Sequence, residues 1–460
     1  MVKKIEADYP GYFDKIANSN RAEFKTFEKH IRQRIENHSD SCLYLLNEYT
    51  GFFKDRHLVV NSIWKNNNIQ YEIMPYSTYG KNVNINVDSL QQMAKVCKNV
   101  EGLWEGFWDT FAIVNDDDKY IGVAIKKDKW TFGQVLYEFQ PINDTVFNVI
   151  NFSLIKDARN HETKATLHLD GKILEFHNET RFVRKTDSEI FDKATLYSYV
   201  PQFPNGTNTY PLATFLGDST FYIRVPEFYS NTANDLVKKH WEVIVRCPNL
   251  IIDIRNNGGG QDINYQEFLK IIYTKPYESK GVEWYASSGN IKDFENAIKS
   301  GEIRNGEEGL RWTKTLVDAM KKNKGGYVVH PDYATYNDMV VRDTVYPLPR
   351  NVGIIINKGN ASSAEQFILA AKESDKVILF GNSNTAGVLD YSNITPTPLP
   401  SNSYQLWCPM TRSMRLPEKP IDNIGISPDV IIPFPEKVQL FDKLDDWAYF
   451  VKNYLELIDK

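Results

Sequence analysis

The sequence predicts a multidomain α/β protein, and three patterns along its 460 residues carry that expectation. Beyond about residue 196, short β-branched runs alternate with amphipathic stretches, the order of strand and helix that specifies an α/β domain. Between residues 102 and 182 the runs are short, aromatic and β-branched, which indicates a β sandwich or barrel. Before about residue 100, apolar residues recur at helical spacing. The expected units are therefore a helical region at 1–100, a β-rich region at 101–195 and an α/β domain at 196–460.

In the first unit Phe24, Phe27, Ile31 and Ile35 share one helical face. Leu43, Leu46, Tyr49 and Phe53 continue it after a polar break at 37–40. In the second, runs at 120–125 and 134–139 read as strands, and 166–170 with 171–176 reads as a hairpin about Asp170 and Gly171, since Asp-Gly favours the tight turn a hairpin needs. In the third, strands are expected at 220–225, 250–254, 352–356 and 376–380, with a helix over 232–245. A second helix is opened by Ser362 and Ser363, because Ala361, Ala364, Phe367, Ile368 and Ala371 fall at helical spacing. The proline-rich, polar stretch 393–403 is expected to be a surface loop.

Composition narrows the function. Hydrophobic residues at 42% and charged residues at 25% are ordinary for a globular chain, and the net charge of −5 comes with no basic stripe. Nucleic acid and anionic membrane surfaces are thus not indicated as partners. No apolar run approaches the roughly 18 residues of a membrane span. Residues 1–4 lead into Ile5 and Glu6 rather than an apolar signal core, so the chain as given reads as soluble; a chain whose leader peptide had been removed would look the same. Cys42, Cys97, Cys247 and Cys408 lie far apart with no zinc spacing and no disulfide framework, so buried free thiols are expected. No metal and no cofactor is implied.

Two segments carry chemistry. At a helix start the backbone N–H groups are unpaired and the dipole is positive, so an alkoxide or oxyanion forming at Ser362 would be stabilised. Ser362 followed three residues later by Glu365 is also a capping box, in which the serine is only an N-cap. The second segment runs from Asp253 to Gly260, where Gly258, Gly259 and Gly260 let the backbone turn sharply and present N–H groups. It lacks the Gly-Lys-Ser/Thr of a phosphate loop, so an oxyanion hole is its better use.

Taken together, residues 250–260, 360–365 and 376–381 resemble the serine peptidases that include tail-specific and C-terminal processing proteases, the tricorn protease core and interphotoreceptor retinoid-binding protein. Residues 217–228 look like that family's first core strand, and Gly425 to Asp429 like its closing segment. The likeness spans roughly 196–435 and implies a crotonase-like catalytic core. It also implies a hydrolase of peptide or protein substrates, acting as an endopeptidase or at C-termini.

In that family the nucleophile lies three residues before the helix's acidic residue, which selects Ser362 over Ser363. The resemblance makes the Ser363 amide one oxyanion donor and Gly258 or Gly259 the other. Many tail-specific members use a lysine base, but Val388 stands at that position. The tricorn-like branch uses a histidine from the N-terminal region, and Asp55, Arg56 and His57 resemble its Asp-x-His segment, so His57 is the expected base. An unperturbed imidazole pKa of about 6.5 suits the task. Asp422 is the residue implied to orient the imidazole, with Glu418 and Asp55 as alternatives; Arg56 replaces the serine that relays to the acid in that branch.

The C-terminal trimming members carry a PDZ domain. Residues 102–182 lack its glycine-rich carboxylate loop, and Trp104 and Trp108 look unlike it, so a different β domain is expected there. A noncatalytic alternative stands beside the peptidase: the retinoid-binding relatives use the same fold to hold a ligand, and this chain would then bind a hydrophobic ligand or peptide. A His57 close to Ser362 discriminates between them. Bacterial members often work outside the cytoplasm, which implies a periplasmic, secreted or lipid-anchored protein if a leader has been removed.

Overall fold

The runs at 250–252 and 352–356 are too continuously apolar to leave one face in water, and both become interior strands of a parallel sheet. Asn249–Asp253 lies between Thr220–Arg224 and Asn351–Ile355, parallel to each, and the latter pairs in parallel with Val377–Gly381. Val430–Ile431 closes that edge, and Leu212–Phe215 joins the opposite edge antiparallel. This computed structural model describes residues 1–17, 19–37, 42–63, 77–93, 99–106, 109–127, 129–154, 160–168, 171–176, 181–185, 211–303, 306–333, 339–432 and 446–458.

Helices Thr232–Lys239, Gln266–Ile272 and Ser363–Ala371 cover one face of the sheet through Val237, Phe268, Phe367 and Ile368. Helix Asp446–Ile458 covers the other through Trp447, Ala448, Val451 and Leu455. Each fully buried side chain of this kind contributes roughly 1.5–3 kcal/mol. A Cβ at Gly353 would come within 2.5 Å of Val451, so the missing side chain lets that helix rest on the sheet. The helix expected over 232–245 is two, Thr232–Lys239 and Trp241–Ile244, because His240 leaves helical geometry at φ −107°, ψ 15°.

The β-rich unit is a closed barrel of eight strands, in which each strand pairs antiparallel with the next and Arg181–Lys185 returns to Gly102–Glu105. Phe111, Phe139, Phe147, Phe176 and Phe182 pack inside it with Trp104, filling the interior as a barrel of this size requires. The expected hairpin forms between His161–His168 and Ile173–Phe176; its Asp170, like Trp108, lies outside the described residues.

A second sheet joins the N-terminal region to strands from later in the chain. Val59–Ser62 pairs with Tyr404–Ser413, which also pairs with Tyr391–Pro398 and Val282–Tyr285. Helices Arg21–Asn37 and Cys42–Gly51 lie against it, so Phe24, Ile31, Leu45 and Phe53 share one core with Tyr391, Leu406 and Cys408. The stretch expected as a surface loop is thus mostly strand. Among the described residues its one partner is Tyr404–Ser413, and on that edge the missing N–H groups of Pro396 and Pro398 are tolerated. No described helix is long and apolar enough to cross a membrane. Cys42, Cys247 and Cys408 are free thiols; Cys97 lies outside the described residues.

Candidate active site

Two neighbouring parallel strands, Asn249–Asp253 and Asn351–Ile355, end side by side, and their C-terminal extensions build the site, the usual position for ligand chemistry in an open α/β sheet. The first runs into the glycine loop and the second into the serine turn. Asp253 anchors the first exit: its carboxylate accepts from the Tyr222 hydroxyl at 2.7 Å and pairs with Arg255 at 2.6 Å, which holds its carboxyl below the usual range against the cost of burial. This ion pair is buried scaffold beneath the loop.

Ser362 is the residue before the helix, and its backbone sits at φ 56°, ψ −125°. A side-chain-bearing residue in that region costs of order 1–3 kcal/mol and persists only where its surroundings enforce it. Here they do. The Ser362 amide donates to the Val388 carbonyl at 2.9 Å, and its carbonyl accepts from Gln366 at 3.0 Å. Asn360 ties the turn to the glycine loop by donating to the carbonyls of Ile254 and Asn257. A sharp strand-to-helix turn with a strained serine at its tip is the geometry of a nucleophile elbow.

The capping box does not form. Among the described residues the Ser362 hydroxyl caps no amide, and the buried Glu365 carboxylate turns instead to the loop at 385–388. It accepts from the Thr385 hydroxyl at 2.5 Å and from the amides of Gly387 and Val388 at 2.7 and 2.8 Å. The physical reason is supply: that loop offers three donors to a buried carboxylate, while the helix start offers it one. Glu365 thereby fixes the segment that fixes Ser362.

In the glycine loop the three glycines differ. Gly259 has φ 102°, and a Cβ there would lie 2.7 Å from the Ala361 carbonyl oxygen, 2.9 Å from Ser362 Cβ and 2.9 Å from the Ser363 nitrogen. Its own amide donates to Asn257 Oδ1 at 2.9 Å, so it is not free to meet an oxyanion. Gly258 is exposed and does not line the cleft that holds Ser362. Gly260 does line it, beside Ser362 and Ser363. The Ser363 amide, at the first helical position, has no intrahelical partner, and its hydroxyl donates to the Gly260 carbonyl at 3.1 Å.

His57 comes from a turn between helix Cys42–Gly51 and strand Val59–Ser62, and it lines the same cleft as Ser362. Its amide donates to Asp55 Oδ1 at 2.9 Å, and its Nδ1 lies 2.6 Å from the Tyr391 carbonyl oxygen. A carbonyl only accepts, so Nδ1 carries the proton and Nε2 is left as an acceptor. Burial lowers the imidazole pKa, opposed by the Tyr391 carbonyl and by the charges of Asp422 and Glu365. The ring is accordingly neutral at physiological pH.

Asp422 reaches His57 by charge and not by a hydrogen bond. Its Oδ1 accepts from the amides of Leu389 and Asp390, each at 2.8 Å, while Oδ2 is buried with no partner among the described residues. Burial, and then the nearby charge of Asp55, push its carboxyl up to about 6. Asp55 is raised by burial as well, against the donation of the Tyr9 hydroxyl at 2.8 Å. Glu418 is exposed and takes no part in the contacts of His57.

Residues 219–432 match the model of peptidase family S41. That segment, just under half of the chain, is the peptidase segment of that family. The chain is a serine-type peptidase, and the matched segment holds the glycine loop, Ser362 and Asp422, with His57 outside it. Among solved structures, mature CPAF complexed with lactacystin is 12% identical with a TM-score of 0.50, the alignment covering 100% of this chain and 95% of that one. Mature CPAF alone gives the same identity and score with 94% of its chain covered. The photosystem II D1 C-terminal processing protease is 13% identical with a TM-score of 0.32, over 90% of this chain and 95% of its own. No curated protein sequence matches. The CPAF likeness shows a multidomain α/β fold, and a crotonase-like core is consistent with the S41 match.

As an S41 peptidase the chain acts on peptides or proteins, and its cleft of about 690 Å³ has room for several residues of one. One wall is the glycine-loop side with Gln261 and Asp262; the other is the second sheet, with Ser392 to Thr395, Trp407 and Met410. Arg415 also lines the cleft, paired with the buried Asp390 at 3.0 Å. Sequence reasoning missed Gly260, Asn360 and Tyr391. Asn360 and Gly260 stand inside segments already singled out. Nothing marks Tyr391, because what it offers His57 is a backbone carbonyl that any residue has.

Proposed function

We propose that the chain hydrolyses peptide bonds through an acyl-enzyme on Ser362, with His57 as general base. The observation that carries this reading is the shared cleft of Ser362 and His57, with Nδ1 held by the Tyr391 carbonyl and Nε2 unprotonated. No hydrogen bond joins the two side chains among the described residues, a looseness expected before substrate fills the site. Nε2 takes the Ser362 proton as Oγ attacks the substrate carbonyl. The oxyanion lies against the amides of Ser363 and the glycine loop, with Gly260 as the second donor. His57 then gives its proton to the leaving amine, and water, deprotonated by the same nitrogen, releases the acyl group. Asp422 stabilises the imidazolium through space, and the Tyr391 carbonyl keeps the tautomer.

A fluorophosphonate probe tests the pair directly. Wild type is expected to take one label, mapped by mass spectrometry to Ser362, and His57→Ala to label at least about 10²-fold more slowly, the low end of what a general base supplies. Labelling of another residue, or an unchanged rate in His57→Ala, would remove the reading.

The raised carboxyl of Asp422 has a stability consequence whose sign is fixed. A folded-state value of about 6 against an ordinary 3.8 means stability present below 3.8 and lost as pH rises through 6. Asp422→Asn keeps the Oδ1 acceptor and abolishes the charge. Relative to wild type it is expected to gain about 3 kcal/mol at pH 8 and close to nothing at pH 4, as two pKa units imply. Denaturant melts at the two pH values check this; an equal difference at both would contradict it.

A further inference from the structure

Both supports of His57 lead back to the first fifteen residues. On the main-chain side, the His57 amide donates to Asp55 Oδ1, and Asp55 Oδ2 accepts from the Tyr9 hydroxyl at 2.8 Å. On the ring side, the Tyr391 carbonyl holds Nδ1, the Tyr391 ring lies 5.5 Å from the ring of Tyr9, and the Tyr391 hydroxyl donates to Asp14 at 3.0 Å. Tyr9 is 1% exposed and is gripped on a third side by Phe53, with ring centres 5.7 Å apart. Gly11 closes the arrangement: a Cβ there would fall 2.4 Å from the Tyr9 hydroxyl and 2.8 Å from the Tyr391 ring. The segment is itself fastened, because Asp8 accepts from the Ser287 hydroxyl at 2.7 Å and from the Gly289 amide at 3.2 Å.

We propose that Tyr9 is a positioning residue of the peptidase, fixing the main chain of His57 through Asp55 and its ring through Tyr391. The proposal rests on the reading of His57 as general base. Tyr9 touches no substrate; it acts by keeping Asp55 an acceptor for the His57 amide. A buried carboxylate that loses its best donor takes a proton more readily, and a protonated Asp55 is a poorer acceptor. The groups facing Asp55 are Tyr9, Lys15 of helix Tyr12–Lys15, Tyr391 and Cys408 of the second sheet, and Asp422. Of these only Lys15 is cationic, and Tyr9 is the neutral donor in direct contact.

Tyr9→Phe keeps the ring and deletes the hydroxyl. With a peptide substrate it is expected to lower kcat about 10-fold, one neutral donor to an ionised acceptor, with KM within a factor of two, and to move the acid limb of the kcat/KM profile to higher pH. Gly11→Ala, which displaces the hydroxyl without removing it, is expected to act in the same direction and carries the test if Tyr9→Phe does not fold. A lower melting temperature with kcat and the pH profile unchanged would mean packing only and would overturn the proposal. Fluorophosphonate labelling of His57→Ala at the wild-type rate would instead overturn the base assignment beneath it, so the two failures are distinct.

Discussion

Ser362→Gly is expected to be inactive and more stable than wild type. Removing the nucleophile of a serine peptidase costs on the order of 10⁴–10⁶ in turnover, with binding and the oxyanion hole left to supply the remainder. The stability gain comes from the backbone. At φ 56° and ψ −125° Ser362 holds a conformation that glycine reaches without strain, and relieving it is worth of order 1–3 kcal/mol. Part of that is offset by the greater freedom of an unfolded glycine, about 0.4–1 kcal/mol, which leaves a net gain of about 1 kcal/mol. Ser362→Ala is the control: it loses the hydroxyl, keeps a Cβ in the strained region and should melt where the wild type does. Unfolding curves for the three proteins read the difference. If glycine proves no more stable than alanine, the strain is not stored at Ser362, and the elbow is held open by some other residue.

Much of this site was legible beforehand because its residues stand in runs that specify their own local structure. Four apolar residues before a polar turn and a helical repeat after it made Ser362 a strand-to-helix junction, and three consecutive glycines made the neighbouring exit a loop. Those two segments lie on adjacent strands, so the pairing of Asn249–Asp253 with Asn351–Ile355 brings them together without further instruction. His57 is different. It lies more than three hundred residues from Ser362, and its place depends on Val59–Ser62 pairing with Tyr404–Ser413, a long-range contact with no local signature. The same contact explains the misread proline-rich stretch: Pro396 and Pro398 look like loop residues until an edge position makes their missing N–H groups harmless. Glu365 shows the remaining ambiguity. As a capping partner it needed only its neighbours, whereas the donors it takes are twenty or more residues away.

Gly259→Ala is expected to cost the enzyme more than its single methyl suggests, because the glycine loop and the serine turn touch at that point. The added Cβ would stand 2.7 Å from the Ala361 carbonyl oxygen and 2.9 Å from both Ser362 Cβ and the Ser363 nitrogen, and none of these is a flexible side-chain end that could swing away. The loop must therefore lift off the turn. That separates the two sources of oxyanion donors, and loss of one donor lowers kcat by about 10²–10³. The φ of 102° adds backbone strain, since alanine does not settle there. Gly258→Ala supplies the contrast: it meets nothing within 4 Å, keeps every amide in place and should turn over close to the wild-type rate. Single-turnover kinetics on a peptide ester and on the matching amide would read both variants. Should Gly259→Ala retain wild-type acylation, the loop does not build the oxyanion hole, and the second donor must be sought on the opposite wall of the cleft.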